Sequence, residues 1–340
     1  MKRRKYQTTT LCLCASVRYL LSNLILSSLL LLVISCNTFS PIAHGSGASA
    51  EFAFVEAVEA EWRAFDDGID YFHGKIISPK LEFWALRVNL ASPQIRIVIK
   101  DGMAANGGAL SAKVTTFVRD NNLIAGINAA PFDVSSLKEK QPIQNMGIVI
   151  SDGKLLAPAN PRYDAIIFYR DNEQIKAAII SQAAIQTYPA NSPAENIENA
   201  IGGFHQILAG GEPTERTLPA AKFPAQEAAV TSSAAQPVSA QRHPRSAAGV
   251  SANGGSLYLL VIDGRRAGSV GATERETALL LLSLGAWDGL NLDGGGSSAL
   301  ALRGRNGKVM AVNTPVQKGL VGVERAVAGC VGVRVEEERR

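Results

Sequence analysis

Apolar and polar residues alternate with a period of two over several stretches of this chain. Trp84 to Leu90 reads Trp-Ala-Leu-Arg-Val-Asn-Leu, and Ile95 to Ile99 follows after Ala91-Ser92-Pro93. Alternation interrupted by a turn predicts a hairpin there. Ile143 to Ile150 and Lys154 to Leu156, joined by Asp152-Gly153, predict a second hairpin. Ala165 to Tyr169 and Ile175 to Ile180 flank Asp171-Asn172 and predict a third. Ile124 to Ile127 reads as a short buried strand that leads into Asn128. From about Leu218 to Gln241 the chain turns to Ala, Pro, Ser and Gln without period. Such a stretch buries too little apolar surface to order itself, and is expected as a mobile insertion at 218–241.

The last third carries the clearest pattern. Leu257 to Ile262 is an unbroken apolar strand ended by Asp263-Gly264-Arg265-Arg266. Thr273-Glu274-Arg275-Glu276 has the form of a capping box, a hydroxyl followed three residues later by a carboxylate. A helix through Leu284 should follow, closed by Gly285 in the left-handed C′ position. Gly289 to Leu292 is the next strand and stops at Asp293. Ser298 to Leu302 and Val309 to Val312 flank the Asn306-Gly307 turn signal of a hairpin. Ala326 to Val335 is a closing strand, with Cys330 a small residue of the core. These elements predict an α+β fold: a single domain with a mixed β-sheet flanked by helices, several hairpins, and an α/β-like C-terminal βαβ unit.

Strand, helix and strand in tight succession make the two strands parallel. Parallel strands end at one edge of a sheet, where open α/β sheets bind ligands. Asp263 and Asp293 are therefore expected on the same rim. Asp293 opens the run Asp293-Gly294-Gly295-Gly296-Ser297-Ser298. Consecutive glycines cost chain entropy and bury nothing, so they occur where the backbone turns sharply or meets a ligand. No Gly-Lys-Ser/Thr sequence closes the run, which removes the P-loop mechanism. An Asp-Gly pair can also be a plain turn former, as Asp152-Gly153 is.

Charge and composition change the picture at the N-terminus. Lys2, Arg3, Arg4, Lys5 and Arg18 precede the apolar run Leu20 to Ile34, about fifteen residues and short for a spanning helix. The run ends Val33-Ile34-Ser35-Cys36, which resembles the bacterial lipoprotein cleavage box. Residues 1–35 are expected as a lipoprotein signal peptide, with Cys36 lipidated and 36–60 a tether; an uncleaved N-terminal anchor is the alternative. Either places the domain at 61–340 outside the cytoplasm. The formal charge of +4 rests on those five basic residues and falls to about −1 without them. The pI of 8.9 thus says nothing of nucleic acid, and no nucleic-acid partner is expected. Cys12, Cys14, Cys36 and Cys330 leave no disulfide framework or Cys-based zinc site in the domain. His44, His73 and His205 have no metal-ligand spacing, so neither a metal nor a cofactor is expected.

The segments Leu257 to Val261, Asp263-Gly264-Arg265, Leu284-Gly285-Ala286 and Leu290 to Ser298, in that order, resemble the phosphodiester glycosidase family. His243-Pro244-Arg245-Ser246-Ala247, Ile127-Asn128 with Phe132-Asp133, Val312-Asn313-Thr314-Pro315 and Glu324-Arg325 fit the same pattern. The resemblance runs from about Trp84 to Val335, and Ala129-Ala130-Pro131 departs from it where the family has glycines and an aromatic. It implies cleavage of the bond between a sugar's anomeric carbon and a phosphodiester oxygen, so a carbohydrate phosphodiester is the expected substrate. That reaction needs carboxylates to stabilise an oxocarbenium-like centre and deliver water. It also needs arginine forks for phosphate.

Asp293 and Asp263 are the expected catalytic carboxylates, with Glu324 in reserve or else paired to Arg325. Arg245 and Arg265 are the expected phosphate clamp. Gly294, Gly295, Gly296 and Ser297 would bring backbone N–H groups and a hydroxyl to the substrate. Asn128 and Asn291 would read sugar hydroxyls; His243 and Arg325 complete the binding set, and Arg266 is expected in solvent. Two other functions stay open on the same residues: a non-catalytic glycan-binding envelope lipoprotein and a metal-dependent phosphodiesterase.

Overall fold

The strand Leu257 to Ile262 is apolar at every position because both of its faces are covered. In the computed structural model, which describes residues 61–100, 109–133, 138–185, 196–217 and 240–336, Leu257, Leu259 and Val261 face the main core. Tyr258, Leu260 and Ile262 face a second core under the helix Glu274–Ser283. The described residues all belong to one compact unit, Gly45–Arg340. The predicted signal peptide, the predicted tether and residues 218–239 of the predicted insertion lie outside the described residues. Among the described residues no helix is long and apolar enough to cross a membrane.

Three sheets enclose the main core. The largest has eight strands, in the order Arg63–Asp66, Ile69–Ile76, Leu81–Asn89, Ser256–Ile262, Arg245–Val250, Asp288–Asn291, Gln206–Ala209 and Glu212–Pro213. The second has five, with Asp164–Asp171 paired to Gln174–Ser181 and Ile197–Gly202. The third has five, with Ala125–Asn128 between Leu300–Arg303 and Cys330–Val335. Leu86 and Leu259, Ile166 and Phe168, and Ile127 and Val331 bring the three sheets into one apolar cluster. Cys330 is a small core residue of a separate cluster, with Val114, Phe117 and Val118, its thiol pushed up to about 12 by burial.

Several predicted elements are present. The Asp152-Gly153 hairpin, the hairpin after Asp171 and the hairpin between Leu300–Arg303 and Val309–Ala311 all form. The capping box is complete: Thr273 accepts from the Glu276 backbone, and the Glu276 carboxylate accepts from the Thr273 backbone. Gly285 takes φ +105° beyond the last helical turn, as its left-handed role requires.

Three expectations change. The sheet is not mixed: every recorded strand pairing is antiparallel. The strands either side of the capped helix are parallel to one another, but Arg245–Val250 lies between them and pairs with both. Arg245–Val250 is joined to Ser256–Ile262 by the turn at residues 251–255, and its small residues Ser246, Ala247, Ala248 and Gly249 carry no strand alternation that would have marked it. Helices are also sparse, with only Val114–Asp120, Gln182–Ile185 and Glu274–Ser283 among the described residues. Finally, Leu81–Asn89 and Ile95–Ile99 are not a hairpin. The first pairs with Ile69–Ile76 and Ser256–Ile262, the second with Cys330–Val335 in another sheet. Both edges of Leu81–Asn89 are taken, so the turn carries the chain across the core, with Leu90 and Ile95 buried on either side.

The capped helix anchors the rim described below through Glu274 in its first turn. Replacing Thr273 by Ala removes one half of the box and should lower stability by about 1 kcal/mol in urea denaturation. An unchanged urea midpoint would show that the cap is not holding the helix.

Candidate active site

Arg245–Val250 runs against both neighbours, so its first residue lies where theirs end. Arg245 is opposite Ile262, and Ala247 is opposite Asn291. His243, Asp263, Arg265 and Asp293 are thereby gathered on one rim, over strands about 4.8 Å apart. The third sheet reaches the same place, since Ala125–Asn128 ends at Ala129, whose carbonyl accepts from the Asp293 N–H at 2.8 Å. The predicted convergence of Asp263 and Asp293 therefore occurs, although through a strand that the local pattern did not place between them.

Asp293 is the carboxylate that this rim holds ready. It begins the glycine turn, whose residues Gly295–Ser297 form one 3-10 turn. Burial pushes its carboxyl up to about 6, while a hydrogen bond from Ser297, the charge of Arg325 and the Gly294 N–H act in the opposite sense. Arg325 Nη1 donates to Ser297 Oγ at 3.1 Å, and Arg325 Nε donates to Gln317 Oε1 at 2.9 Å. Gly295 needs its glycine for φ +62° and donates to the Pro244 carbonyl at 2.8 Å. Gly296 needs its own because a Cβ there would lie 1.9 Å from Gln317 Oε1.

The other two expected carboxylates do different work. Asp263 has a fully buried side chain whose oxygens accept from Arg266, Asn313 and the Thr314 backbone. Burial still pushes its carboxyl upward against those partners. It pins residues 313–314 to the rim and does not face a substrate. Arg266 is correspondingly not solvated: it bridges Asp263 and Glu82. Glu324 is not paired to Arg325. Its carboxylate accepts from the Thr115 backbone at 3.0 Å and hydroxyl at 2.8 Å, satisfying the open N-terminus of the helix Val114–Asp120.

The expected binding residues also divide. Arg245 is buried and engaged with Glu274, the Ala272 carbonyl and the Gln241 carbonyl, so it is not an available phosphate clamp. Asn128 is fully buried; its amide donates to the Asp293 carbonyl and accepts from Ser246 and the Ala299 N–H. It fixes the turn and cannot read a sugar. Asn291 donates to Glu274 at 3.2 Å beneath the turn. Arg265, by contrast, is exposed, has φ +60°, and has no acidic partner among the described residues. Its guanidinium lies against Gly295 and 3.5 Å from His243 Nδ1. Burial and the charges of Arg245 and Arg265 lower the His243 pKa, which keeps the ring neutral at pH 7.

Buried polar atoms without a protein partner cluster here. Asn291 Oδ1, Ser298 Oγ and Gln317 Nε2 belong to the glycine turn or to residues packed against it. Such atoms are rare in folded proteins and call for an explanation. Gln317 and Glu274 carry no local signal of their role; only tertiary placement brings them to Arg325 and Arg245. Among the described residues no group of three His, Cys, Asp or Glu is arranged to hold a metal.

Comparison with known proteins shows the family and the fold. A model of the phosphodiester glycosidase family matches residues 121–334. Among solved structures, a hypothetical protein from Synechocystis is 19% identical with a TM-score of 0.54, over 83% of this chain and 64% of that one. The chain thus spans less than two thirds of that relative. The zebrafish N-acetylglucosamine-1-phosphodiester alpha-N-acetylglucosaminidase catalytic domain, auto-inhibited by its pro-peptide, is 17% identical with a TM-score of 0.55, over 82% and 87%. A Burkholderia pseudomallei protein, provisionally called exported, is 16% identical with a TM-score of 0.50, over 75% and 74%. At these identities the likeness is one of fold. No curated protein matches the chain.

The raised carboxyl has a consequence for stability. A carboxyl with a folded pKa above its unfolded one stabilises fully below the unfolded value and loses that contribution as pH rises through about 6. Above that pH, ionised Asp293 weighs against folding by up to about 3 kcal/mol. Asp293→Asn should therefore raise the urea midpoint at pH 7 and leave it nearly unchanged at pH 4. Equal destabilisation at both pH values would mean that the carboxyl is not held in a desolvated state.

Proposed function

The chain belongs to the phosphodiester glycosidase family, and we propose that it hydrolyses glycosyl 1-phosphodiesters of an exported or envelope glycan. One observation carries this reading: Asp293 is a desolvated carboxyl at a glycine turn, and against the same turn lies an arginine, Arg265, with no acidic partner among the described residues. Arg265 supplies a planar fork for phosphate oxygens, and no carboxylate among the described residues pairs with it. Asp293, ionised above about pH 6, faces the anomeric carbon and delivers the oxygen that replaces phosphate. The C1–O bond breaks with its electron pair going to the phosphate, a good leaving group that needs no strong acid behind it. Ser297 holds the Asp293 carboxylate by a hydrogen bond, and Arg325, hydrogen-bonded to Ser297, favours the ionised form through its charge.

Asp293→Asn should lower kcat by about two to four orders of magnitude with a GlcNAc-1-phospho-sugar, measured as free sugar release. Arg265→Ala should cost about ten- to a hundredfold in kcat/KM. Release of sugar at the wild-type rate by Asp293→Asn would reject the assignment. In ¹⁸O-water the label should enter the sugar, since a phosphodiesterase would place it in phosphate. Inversion at C1 would make Asp293 the base that activates water, and retention would make it the nucleophile. Arg325→Gln removes a charge that lowers the Asp293 pKa, so the acid limb of the kcat/KM profile should move to higher pH. A limb that stays in place or moves down would contradict that link.

Export and anchoring complete the proposal. The basic n-region, the short apolar run and the Ser35-Cys36 box support a lipid anchor at Cys36. Cells fed an alkynyl fatty acid should label the wild-type protein but not Cys36→Ala. Labelling that survives the substitution would remove the anchor from the account.

A further inference from the structure

Three loops at the rim end of the large sheet are apolar and basic on their exposed side. Among the described residues nine large apolar side chains are exposed, and five of them, Ile77, Val270, Leu320, Val321 and Val323, belong to these loops. Single exposed apolar side chains are ordinary on a soluble protein, but a group of them marks a contact surface. Ile77 is 88% exposed in the turn 77–80 that joins Ile69–Ile76 to Leu81–Asn89. That turn lies at the rim because Phe83 is opposite Ile262, the last residue of Ser256–Ile262. Val270 follows the same strand end, in the loop 264–271. Leu320, Val321 and Val323 belong to the hairpin of Val316–Gln317 with Leu320–Val321 and its exit, where every residue from 318 to 323 is exposed.

The loops are fastened to one another and to the rim. The Val270 N–H donates to the Lys80 carbonyl at 2.9 Å, and the Glu82 N–H donates to Ser269 Oγ at 3.0 Å. The Thr314 N–H donates to Asp263, and Gln317 packs on Gly296 and accepts from Arg325. Their charge has one sign. Residues 77–80, 264–271 and 314–323 hold Lys80, Arg265, Arg266 and Lys318 and no Asp or Glu. Arg266 is engaged with Asp263 and Glu82, and Arg265 is the proposed phosphate fork. Lys80 and Lys318, both exposed, remain for other anions.

Aliphatic tips beside lysines suit an anionic bilayer: the tips enter the headgroup level and the lysines meet lipid phosphates. Protein interfaces are instead rich in Tyr and Trp and depleted in Lys, and none of the three loops holds an aromatic residue. The sequence ahead of the domain sets its reach from the expected anchor. The 25 residues from 36 to 60 span at most about 90 Å. We propose that these three loops dock the rim onto an anionic phospholipid bilayer. The inference rests on the proposed anchor at Cys36 and on no step of the hydrolysis.

The test uses the full chain, purified with its anchor and reconstituted into vesicles of phosphatidylcholine and phosphatidylglycerol that carry doxyl-labelled acyl chains. Leu320 or, in a second protein, Ala252 is replaced by the fluorescent amino acid dansylalanine. Ala252 is exposed in the turn 251–255, at the opposite end of the sheet. Emission from position 320 should shift to the blue and be quenched by the doxyl groups, and position 252 should show neither. Lys80→Gln with Lys318→Gln should lower the ratio of quenched to unquenched protein by about tenfold or more, since each lysine near an anionic surface is worth about fivefold. Both lysines are exposed, so that variant should melt like wild type. Quenching that is absent at 320, equal at 252, or unaffected by the lysine pair would overturn the proposal. A blue shift already present without vesicles, and unquenched on them, would show a protein surface over the loops and overturn it as well. If Cys36 is not acylated and the protein is recovered free of membranes, the same protein is added to the vesicles at high lipid. Quenching at 320 alone then sustains the surface although the anchor has failed, and no quenching overturns the surface.

Discussion

One desolvated carboxyl sets the requirements that the rest of the rim meets. Burial of Asp293 raises its pKa, and an ionised carboxyl in that position is tolerable only with fixed donors around it. The glycine turn supplies one N–H, Ser297 a hydroxyl, and Arg325 a charge held at one remove. Gln317 aims Arg325, and Gly296 has no side chain because Gln317 occupies that space. A buried carboxyl at neutral pH is a cost to stability, and its retention is the pattern expected where function opposes stability.

The fixed geometry has a second layer beneath the first. The capped helix presents Glu274 to Arg245 and Asn291, which steadies the starts and ends of adjacent strands. Asn128 joins the third sheet to the turn, and Asp263 with Arg266 and Glu82 joins it to residues 313–314. Residues that look catalytic by type are thus mostly positioning residues by contact. Asp293, Ser297, Arg325, Arg265 and His243 remain as the residues proposed to meet the substrate. A site on strand ends of a rigid sheet keeps its atoms in place better than one on free loops.

Local pattern carries far in this chain, and its limits are physical. The capping box, Gly285 and the hairpin at Asp152-Gly153 are legible because each depends on residues a few positions apart. The rim was legible for Asp293 and Asp263 because strand direction follows from the strand–helix–strand order. The strand between them was not, since Ser246, Ala247, Ala248 and Gly249 show no strand alternation, and its second pairing joins Ala247 to Asn291 across the capped helix. The false hairpin at Ala91-Ser92-Pro93 has the same origin: alternation shows a face to be buried but not which edge is free. Partner identity was equally invisible, so Arg245 read as a clamp although Glu274 holds it, and Glu324 read as an acid although it caps a helix.

The central claim is that Asp293 is the desolvated carboxyl whose ionisation switches on catalysis. The most direct measurement is a ¹³C NMR titration of the Asp293 side chain, set beside the acid limb of kcat/KM for a glycosyl phosphodiester. The account predicts a carboxyl pKa near 6 that coincides with the limb. A carboxyl that titrates near the usual 3.8, or a limb that does not track it, would contradict the account.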